Sequence, residues 1–110
     1  EGDTIGLLPQ GDPGEANPWV DIVLPTGMGH ARNSLVASGD ALVAVGGGAG
    51  TLWAIAFAWT FRRPVIALDA PGWSREMGGR TLDHRRRPDG RVLTAASPAE
   101  VVAVLQERLG

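Results

Sequence analysis

The residues with the clearest chemical potential form a glycine-rich run in the middle of the chain. Between a strand-like apolar segment and a helix-like one, the sequence places Gly46, Gly47, Gly48, Gly50 and Thr51. Each glycine costs backbone entropy on folding, so a run of them needs a reason. A glycine lets a phosphate approach the peptide N–H closely, and the first turn of a helix favours an anion. The run predicts a phosphate-binding turn to which Thr51 adds a hydroxyl, and the alternative is close packing between helix and strand.

A second glycine-bearing turn lies upstream and leads into a segment with helical character. This turn, TGMG at residues 26–29, is followed closely by an arginine and an asparagine. Turns at the carboxyl ends of neighbouring parallel strands meet at one edge of the sheet, where ligands bind. We therefore assign to the same ligand site Gly27, Met28, Arg32 and Asn33. Arg32 is expected to contact a phosphate, with pairing to Asp40 as the alternative, whereas local hydrogen bonding explains Asn33 equally well.

The composition excludes several classes of site. The 110 residues include two histidines but no cysteine and no lysine, and the net charge is −2. Without cysteine there is no disulfide or thiolate metal site, and without lysine there is no Walker motif. The dinucleotide pattern G-x-G-x-x-G fails as well, because threonine stands at position 51. We expect no metal site, no nucleic-acid partner and no membrane span, and we expect a cytoplasmic location.

Apolar segments alternate with helix-like stretches along the chain. Strands are predicted near residues 4–9, 19–25, 41–47, 62–69 and 91–97, and helices near 30–38, 50–61 and from 98 onwards. Residues 70–90 are expected to be irregular, and Ser97, Pro98 and Glu100 have the spacing of a helix N-terminus with a capping box. The alternation predicts an α/β, Rossmann-like fold, with a mostly parallel sheet of about four to five strands and flanking helices. Residues 1–110 would form a single nucleotide-binding domain.

The residues around both glycine turns also match a known family pattern. The matching elements are, in order, Arg32-Asn33, Gly39-Asp40, Gly46 to Thr51 and Arg63-Pro64-Val65. On these residues the chain resembles the LOG-type, "lysine decarboxylase-like" Rossmann family, and within it the branch that includes the molybdenum cofactor carrier proteins. The resemblance implies a phosphorylated ligand, either a nucleoside monophosphate or a molybdenum cofactor-like group, bound at the glycine turn. It also implies a further strand–helix–strand–helix section, so we expect this chain to be a C-terminal portion, incomplete at its N-terminus.

One departure from the family pattern bears on catalysis. In the phosphoribohydrolase members, an acidic residue on the helix after Gly-Thr acts with the upstream arginine on the N-glycosidic bond of a nucleoside monophosphate. This chain has Trp53-Ala54 there, and alanine can neither stabilise an oxocarbenium-like centre nor activate water. We therefore assign no catalytic residue and expect a carrier or binding protein for a phosphorylated nucleotide or nucleotide-like cofactor. The alternatives are a nucleoside 5′-monophosphate phosphoribohydrolase and an oligomerising interaction module without a ligand.

The helix after the glycine turn is apolar on every side. From Leu52 to Phe61 its large side chains cannot all face one sheet, and a helix that is apolar all round is buried all round. A second subunit is the expected cover, and a two-fold contact is the commonest arrangement. The family resemblance likewise implies dimers or larger oligomers. We therefore expect a homodimer or higher homo-oligomer through this helix.

Overall fold

Strands and helices alternate in the computed structural model, which describes residues 2–110. In that part of the chain the strands are β1 (Ile5–Leu8), β2 (Ile22–Pro25), β3 (Leu42–Val45), β4 (Val65–Leu68) and β5 (Leu93–Ala95). The α-helices are α1 (Asn33–Val36), α2 (Ala49–Thr60), α3 (Trp73–Met77) and α4 (Pro98–Leu109), and two short 3-10 helices span Pro13–Glu15 and Gly29–Arg32. The α/β class is as the sequence predicts.

All strand pairs are parallel, but they form two sheets. β1 pairs with β2, with Ile5 opposite Ile22, and β4 lies between β3 and β5. The expectation of a Rossmann-like α/β fold with about four to five mostly parallel strands and flanking helices is confirmed. The five strands do not form one continuous sheet, because within residues 2–110 no hydrogen bond joins β1 to β3. A cavity separates the two strands instead.

The core lies on both faces of the three-stranded sheet. On one face, α2 packs Ile55, Ala58 and Trp59 against Val65. On the other face, α4 packs Val101 against a second cluster that includes Ile66 and Ala95. Because β4 is covered on both sides, its first three residues are all buried, which explains why its sequence is continuously apolar.

The observed helix boundaries agree with the sequence prediction at α4 but differ from it near residues 30–38 and 70–90. The Ser97 cap of α4 forms as predicted, since its hydroxyl accepts from the Glu100 N–H at 3.2 Å. The Glu100 carboxylate accepts from the Ala96 N–H at 2.6 Å, one residue before the N–H that a capping box would use. The helix expected near residues 30–38 is a 3-10 turn that continues into a single α turn. The prediction of an irregular segment over residues 70–90 was wrong at α3, a five-residue helix.

Candidate functional site

A cavity opens between the free edges of β1 and β3. It measures about 700 Å³, and both apolar and polar residues line it. The polar corner, as we call it here, consists of His30, Arg32, Asn33, Gly48, Gly50 and Thr51. The chain runs from β1 to β2 on one side of this gap and from β3 to β4 and β5 on the other. The gap is therefore the point at which strand order reverses, where open α/β sheets bind their ligands.

The first two glycines of the run serve the fold. Gly46 and Gly47 have φ of 58° and 86°, a left-handed region that side chains disfavour. The backbone of the turn before α3 packs directly on them: a Cβ on Gly46 would lie 3.0 Å from the Pro71 carbonyl oxygen. The carbonyl of Gly47 accepts from the Trp73 N–H at 3.0 Å. These glycines turn the chain from β3 into α2, and neither lines the cavity.

The next residues of the run, Gly48, Gly50 and Thr51, line the polar corner. Gly48 precedes α2 and offers no side-chain cap, and the first N–H groups of a helix have no partner within the helix. A Cβ on Gly48 would meet nothing within 4 Å, so the approach to this helix end is open. Thr51 lies in the first turn, with its side chain packed against Gly47. Open N–H groups at the positive end of a helix are suited to an anion.

Arg32 brings a positive charge to the same corner. Its Nη1 donates to the Asn33 side-chain oxygen at 3.4 Å. Its Nε is buried and has no hydrogen-bond partner among the described residues. A buried donor without an acceptor is unfavourable, and a guanidinium presents donors in a fork that fits a phosphate or a carboxylate. Among the residues that line the cavity, Arg32 therefore carries a donor that a bound anion could satisfy.

Asn33 and His30 hold the corner together. Asn33 is 8% exposed, and its side-chain amide donates to the His30 carbonyl at 2.8 Å. A Cβ on Gly50 would lie 3.6 Å from the Asn33 amide nitrogen and 3.6 Å from His30 Nδ1. This contact brings the segment after β2 against the start of α2. The amide thus makes the local hydrogen bond that the sequence allowed for it, while His30 lines the cavity.

The other predicted residues lie outside the cavity lining. Gly27 has φ of 65° with open space around it, and Met28 is 43% exposed. Both belong to the turn that links β2 to the 3-10 helix before Asn33. Asp40, the alternative partner of Arg32, is exposed and makes no ion pair in the described residues.

Sequence reasoning gave no role to Ser74, which anchors the glycine turn. Its side chain is fully buried. The Ser74 hydroxyl accepts from the Gly46 N–H at 2.7 Å and donates to the Leu68 carbonyl at 2.7 Å. It lies 28 residues from Gly46 in a segment without periodicity, so no local signal indicated this contact.

Comparison with known proteins identifies the family of this chain. The sequence model of the SLOG cluster4 family matches residues 1–102. The chain belongs to the SLOG cluster4 family. This agrees with the LOG-type resemblance carried by the glycine turn and by Arg32-Asn33.

Two solved structures share the fold of this SLOG cluster4 chain. The molybdenum cofactor binding protein from the phototrophic bacterium Rippkaea orientalis is 33% identical, with a TM-score of 0.79 over 100% of this chain and 64% of that one. TM1055, a structural-genomics target, is 27% identical, with a TM-score of 0.83 over 96% of this chain and 65% of that one. An uncharacterized protein of Archaeoglobus fulgidus is 46% identical over 56 residues, 50% of this chain and 37% of that protein. The chain thus spans less than two thirds of each of these proteins.

Two searches bear on other kinds of site. Across residues 2–110, no three histidine, aspartate or glutamate side chains lie close enough together to hold a metal ion. In the same part of the SLOG cluster4 chain, no helix has the length and apolar character needed to cross a membrane.

Proposed function

We propose that this SLOG cluster4 chain binds a phosphorylated nucleotide or nucleotide-like cofactor and holds it without turnover. The buried, unpartnered Nε of Arg32 beside the open first turn of α2 carries the proposal. An anion there would accept from Arg32 and from the N–H groups of Ala49 and Gly50, because the Thr51 N–H already donates to the Gly48 carbonyl at 3.1 Å. Both interactions strengthen with negative charge.

The different surroundings of the glycines support a phosphate as the bound anion. Gly46 and Gly47 shape the turn, whereas Gly48 leaves space at the helix end. A phosphate needs close approach to several N–H groups at once, and a side chain at Gly48 would stand in that space. Thr51 and Gly50 continue the same surface of the polar corner.

Holding rather than hydrolysis is favoured by the chemistry of the cavity wall. Ala54 lines the cavity at the position where the resembled hydrolases carry an acidic residue. No carboxylate is among the cavity's described lining residues. Asp69 lies in a different cavity and pairs with Arg75 at 2.7 Å. Without a carboxylate near the ligand, neither water activation nor stabilisation of a cationic sugar has an obvious source.

Two ligand classes fit the polar corner. The first is a nucleoside monophosphate, and the second is a molybdenum cofactor-like group, since the relative from Rippkaea orientalis is described as a molybdenum cofactor binding protein. The unsatisfied Arg32 donor and the space at Gly48 suit a phosphate group of either one. The base or pterin would extend away from this corner.

A calorimetric titration of AMP into the purified chain tests the proposal. Adenosine, which lacks the phosphate, is the matched control, and the mixture is afterwards analysed for free adenine. Binding of AMP but not adenosine, with AMP recovered intact, is the expected result. Release of adenine above a no-protein control would favour the phosphoribohydrolase, and no binding of AMP by folded protein would contradict a nucleoside monophosphate ligand.

One surface favours a second role in self-association. The outer face of α2 is an apolar groove formed by Leu52, Trp53, Ala56, Phe57 and Thr60. Trp53 is 47% exposed, and its ring lies 6.3 Å from that of Phe57. Such a surface is typical of a contact with a second copy. We propose a cytoplasmic homodimer through α2, and a monomer by sedimentation at micromolar concentration would count against it.

A further inference from the structure

Four of the ten arginines of the chain surround one cavity at the other end of the sheet from the polar corner. This cavity measures about 430 Å³, and its charged lining residues are Arg62, Arg87, Asp89, Arg91 and Arg108. Arg62 lies between α2 and the start of β4, and Arg91 lies just before β5. The cavity therefore opens at the amino ends of these parallel strands, whereas the polar corner follows the carboxyl end of β3. We call it the arginine cavity.

Within residues 2–110, the arginines of this cavity have no carboxylate partner. The ion pairs in that part of the chain join Arg75 to Asp69 and Arg86 to Asp83, and all four residues lie outside the cavity lining. Asp89 lines the cavity without forming an ion pair with any of its arginines. Like charges that are held together repel one another, so a bound anion would relieve a repulsion that the chain itself leaves in place.

The ends of two helices offset part of this positive charge. The helix α2 ends at Thr60, two residues before Arg62, and α4 ends at Leu109, next to Arg108. The carboxyl end of a helix carries about half a negative charge. Together with the one carboxylate, the two helix ends leave an excess of about two positive charges among the four guanidinium groups. The cavity is therefore positively charged although the whole chain has a net charge of −2.

Arg87 is held in place at the wall of the cavity. Its guanidinium lies 4.3 Å from the centre of the Trp59 ring, and its Nη1 donates to the Arg63 carbonyl at 3.1 Å. A Cβ on Gly90 would lie 3.0 Å from the Arg87 Nε, so the glycine allows this close packing. An arginine has five N–H donors, and the contact with Arg63 uses one of them. Arg87 is thus oriented by the fold and keeps donors for a ligand.

Arg62 occupies a backbone position at which glycine is usual. The Arg62 N–H donates to the Trp59 carbonyl at 3.1 Å, and the Arg63 N–H donates to the Ala58 carbonyl at 2.9 Å. These two bonds form the Schellman motif that closes α2, and the left-handed residue of this motif is usually glycine. Arg62 has φ of 61°, where a side chain costs free energy. Closing the helix does not require an arginine, so the side chain in the cavity needs another explanation.

We propose that the arginine cavity is a second binding site, which takes a small anion with at least two negative charges, such as a diphosphate or a tricarboxylate. Guanidinium groups match the oxygens of phosphates and carboxylates equally well. The volume falls within the range of about 300–1,000 Å³ that is typical of small-molecule sites. A monovalent anion would leave positive charge uncompensated. This site is separate from the polar corner and does not depend on the ligand bound there.

A compact ligand suits the cavity better than an extended acidic peptide does. The arginines come from three segments, which are the end of α2, the loop before β5 and the last turn of α4. They surround one space rather than following one line along the surface. A small polyvalent anion can contact all three segments at once.

A two-dimensional NMR titration of the purified chain tests the proposal. Sodium pyrophosphate and sodium citrate are the probes, and sodium acetate is the monovalent control. The amides of Gly90 and Arg91 report on the arginine cavity, and those of Gly48 and Gly50 report on the polar corner, so each site is measured separately. Saturable shifts at Gly90 and Arg91 are expected with pyrophosphate or citrate but not with acetate. The tighter of the two probes identifies phosphate or carboxylate oxygens as the preferred ligand atoms.

A pair of variants separates specific binding from general surface charge. Arg62→Gly removes a guanidinium from the cavity and also relieves the left-handed backbone. It should lower the affinity for the tighter probe at least tenfold without lowering the urea midpoint. Arg86→Gln removes the same charge from an exposed ion pair outside the cavity. Its affinity for the probe should change less than twofold.

Three outcomes would overturn the proposal. The first is the absence of saturable shifts at Gly90 and Arg91 with either polyvalent anion in the millimolar range. The second is an equal loss of affinity in Arg62→Gly and Arg86→Gln, which would show that diffuse surface charge attracts the probe. The third is a lower urea midpoint in Arg62→Gly with unchanged affinity, which would assign Arg62 to the fold alone. Failure of AMP to shift Gly48 and Gly50 would contradict the polar-corner ligand and leave these results as they are.

Discussion

The buried hydroxyl of Ser74 holds the N–H of Gly46, 28 residues earlier, at 2.7 Å. The same hydroxyl donates to the carbonyl of Leu68 at the end of β4, and the Ser74 N–H donates to the Gly46 carbonyl at 3.0 Å. The turn after β3 is thus fastened to the turn after β4. This fastening fixes the direction in which α2 starts, and so the orientation of the N–H groups at the polar corner.

Removing the Ser74 hydroxyl should destabilise the protein. Ser74→Ala leaves the Gly46 N–H buried without an acceptor, which costs about 1–3 kcal/mol. The control is Ser38→Ala, since the Ser38 hydroxyl makes one hydrogen bond at an exposed site and its loss should cost about 0.5 kcal/mol or less. Urea unfolding measures both. Equal losses in the two variants would contradict the anchoring role of Ser74.

Substitution by alanine should lower stability at Gly47 and ligand affinity at Gly48. At Gly47 the new Cβ meets the Thr51 side chain and φ is 86°, so Gly47→Ala should destabilise by about 1 kcal/mol or more. At Gly48 the Cβ meets only open space, so Gly48→Ala should fold normally but weaken AMP binding. Melting temperature and calorimetry separate the two effects. Unchanged AMP affinity in Gly48→Ala would count against a phosphate at this helix end.

Arg87 should stabilise the fold through an aromatic contact. Its guanidinium lies 4.3 Å from the centre of the Trp59 ring, and Nη1 donates to the Arg63 carbonyl at 3.1 Å. Burial lowers the pKa of Arg87, and the nearby charge of Arg62 lowers it further, yet an arginine stays protonated at neutral pH. Arg87→Ala should cost about 1 kcal/mol.

The neighbouring Arg86 is the matched control for Arg87. It makes an exposed ion pair with Asp83 at 3.3 Å, which is worth about 0.5 kcal/mol or less. Chemical unfolding of both alanine variants measures the difference. A loss in Arg86→Ala as large as that in Arg87→Ala would show that charge, rather than stacking on Trp59, is responsible.

Asp21 should make stability depend on acid pH. Its carboxylate accepts from the Thr4 N–H at 2.8 Å and from the Thr4 hydroxyl at 3.0 Å, and these hydrogen bonds lower the pKa of Asp21. The ionised form therefore favours folding above the unfolded pKa of about 3.9, and this stabilisation is lost as pH falls through the lower folded value. Asp21→Asn should show a smaller fall in melting temperature between pH 6 and pH 3. An unchanged fall would contradict this assignment.

Local patterns predicted the parts of the molecule that local chemistry determines. Ser97, Pro98 and Glu100 fixed the start of α4 because a cap satisfies its own helix end. Apolar runs located all five strands, and the run is continuous in β4 because helices cover that strand on both faces. The glycine run located the turn at α2 and, with Arg32, the polar corner.

The features that the sequence did not predict depend on contacts between distant segments of the chain. The helix α3 is too short for a periodic pattern and is held by hydrogen bonds from Trp73 and Ser74 to the glycine turn. The sequence could not separate the fold-shaping Gly46 from the open Gly48, because the positive φ of Gly46 and its packing against Pro71 appear only in the folded chain. The break between β1 and β3 was equally hidden, since an unpaired edge has the same apolar sequence as a paired one.

The most direct test of the central claim is a two-dimensional NMR titration of the labelled chain with AMP. We predict that the largest shifts occur at the amides of Gly48, Ala49 and Gly50 and at the Arg32 side-chain Nε. Arg32→Gln should reduce the affinity about tenfold or more, because a charge-assisted hydrogen bond contributes about 1.5–3 kcal/mol. Shifts confined to other residues, or an affinity unchanged in Arg32→Gln, would contradict a phosphate site at the start of α2.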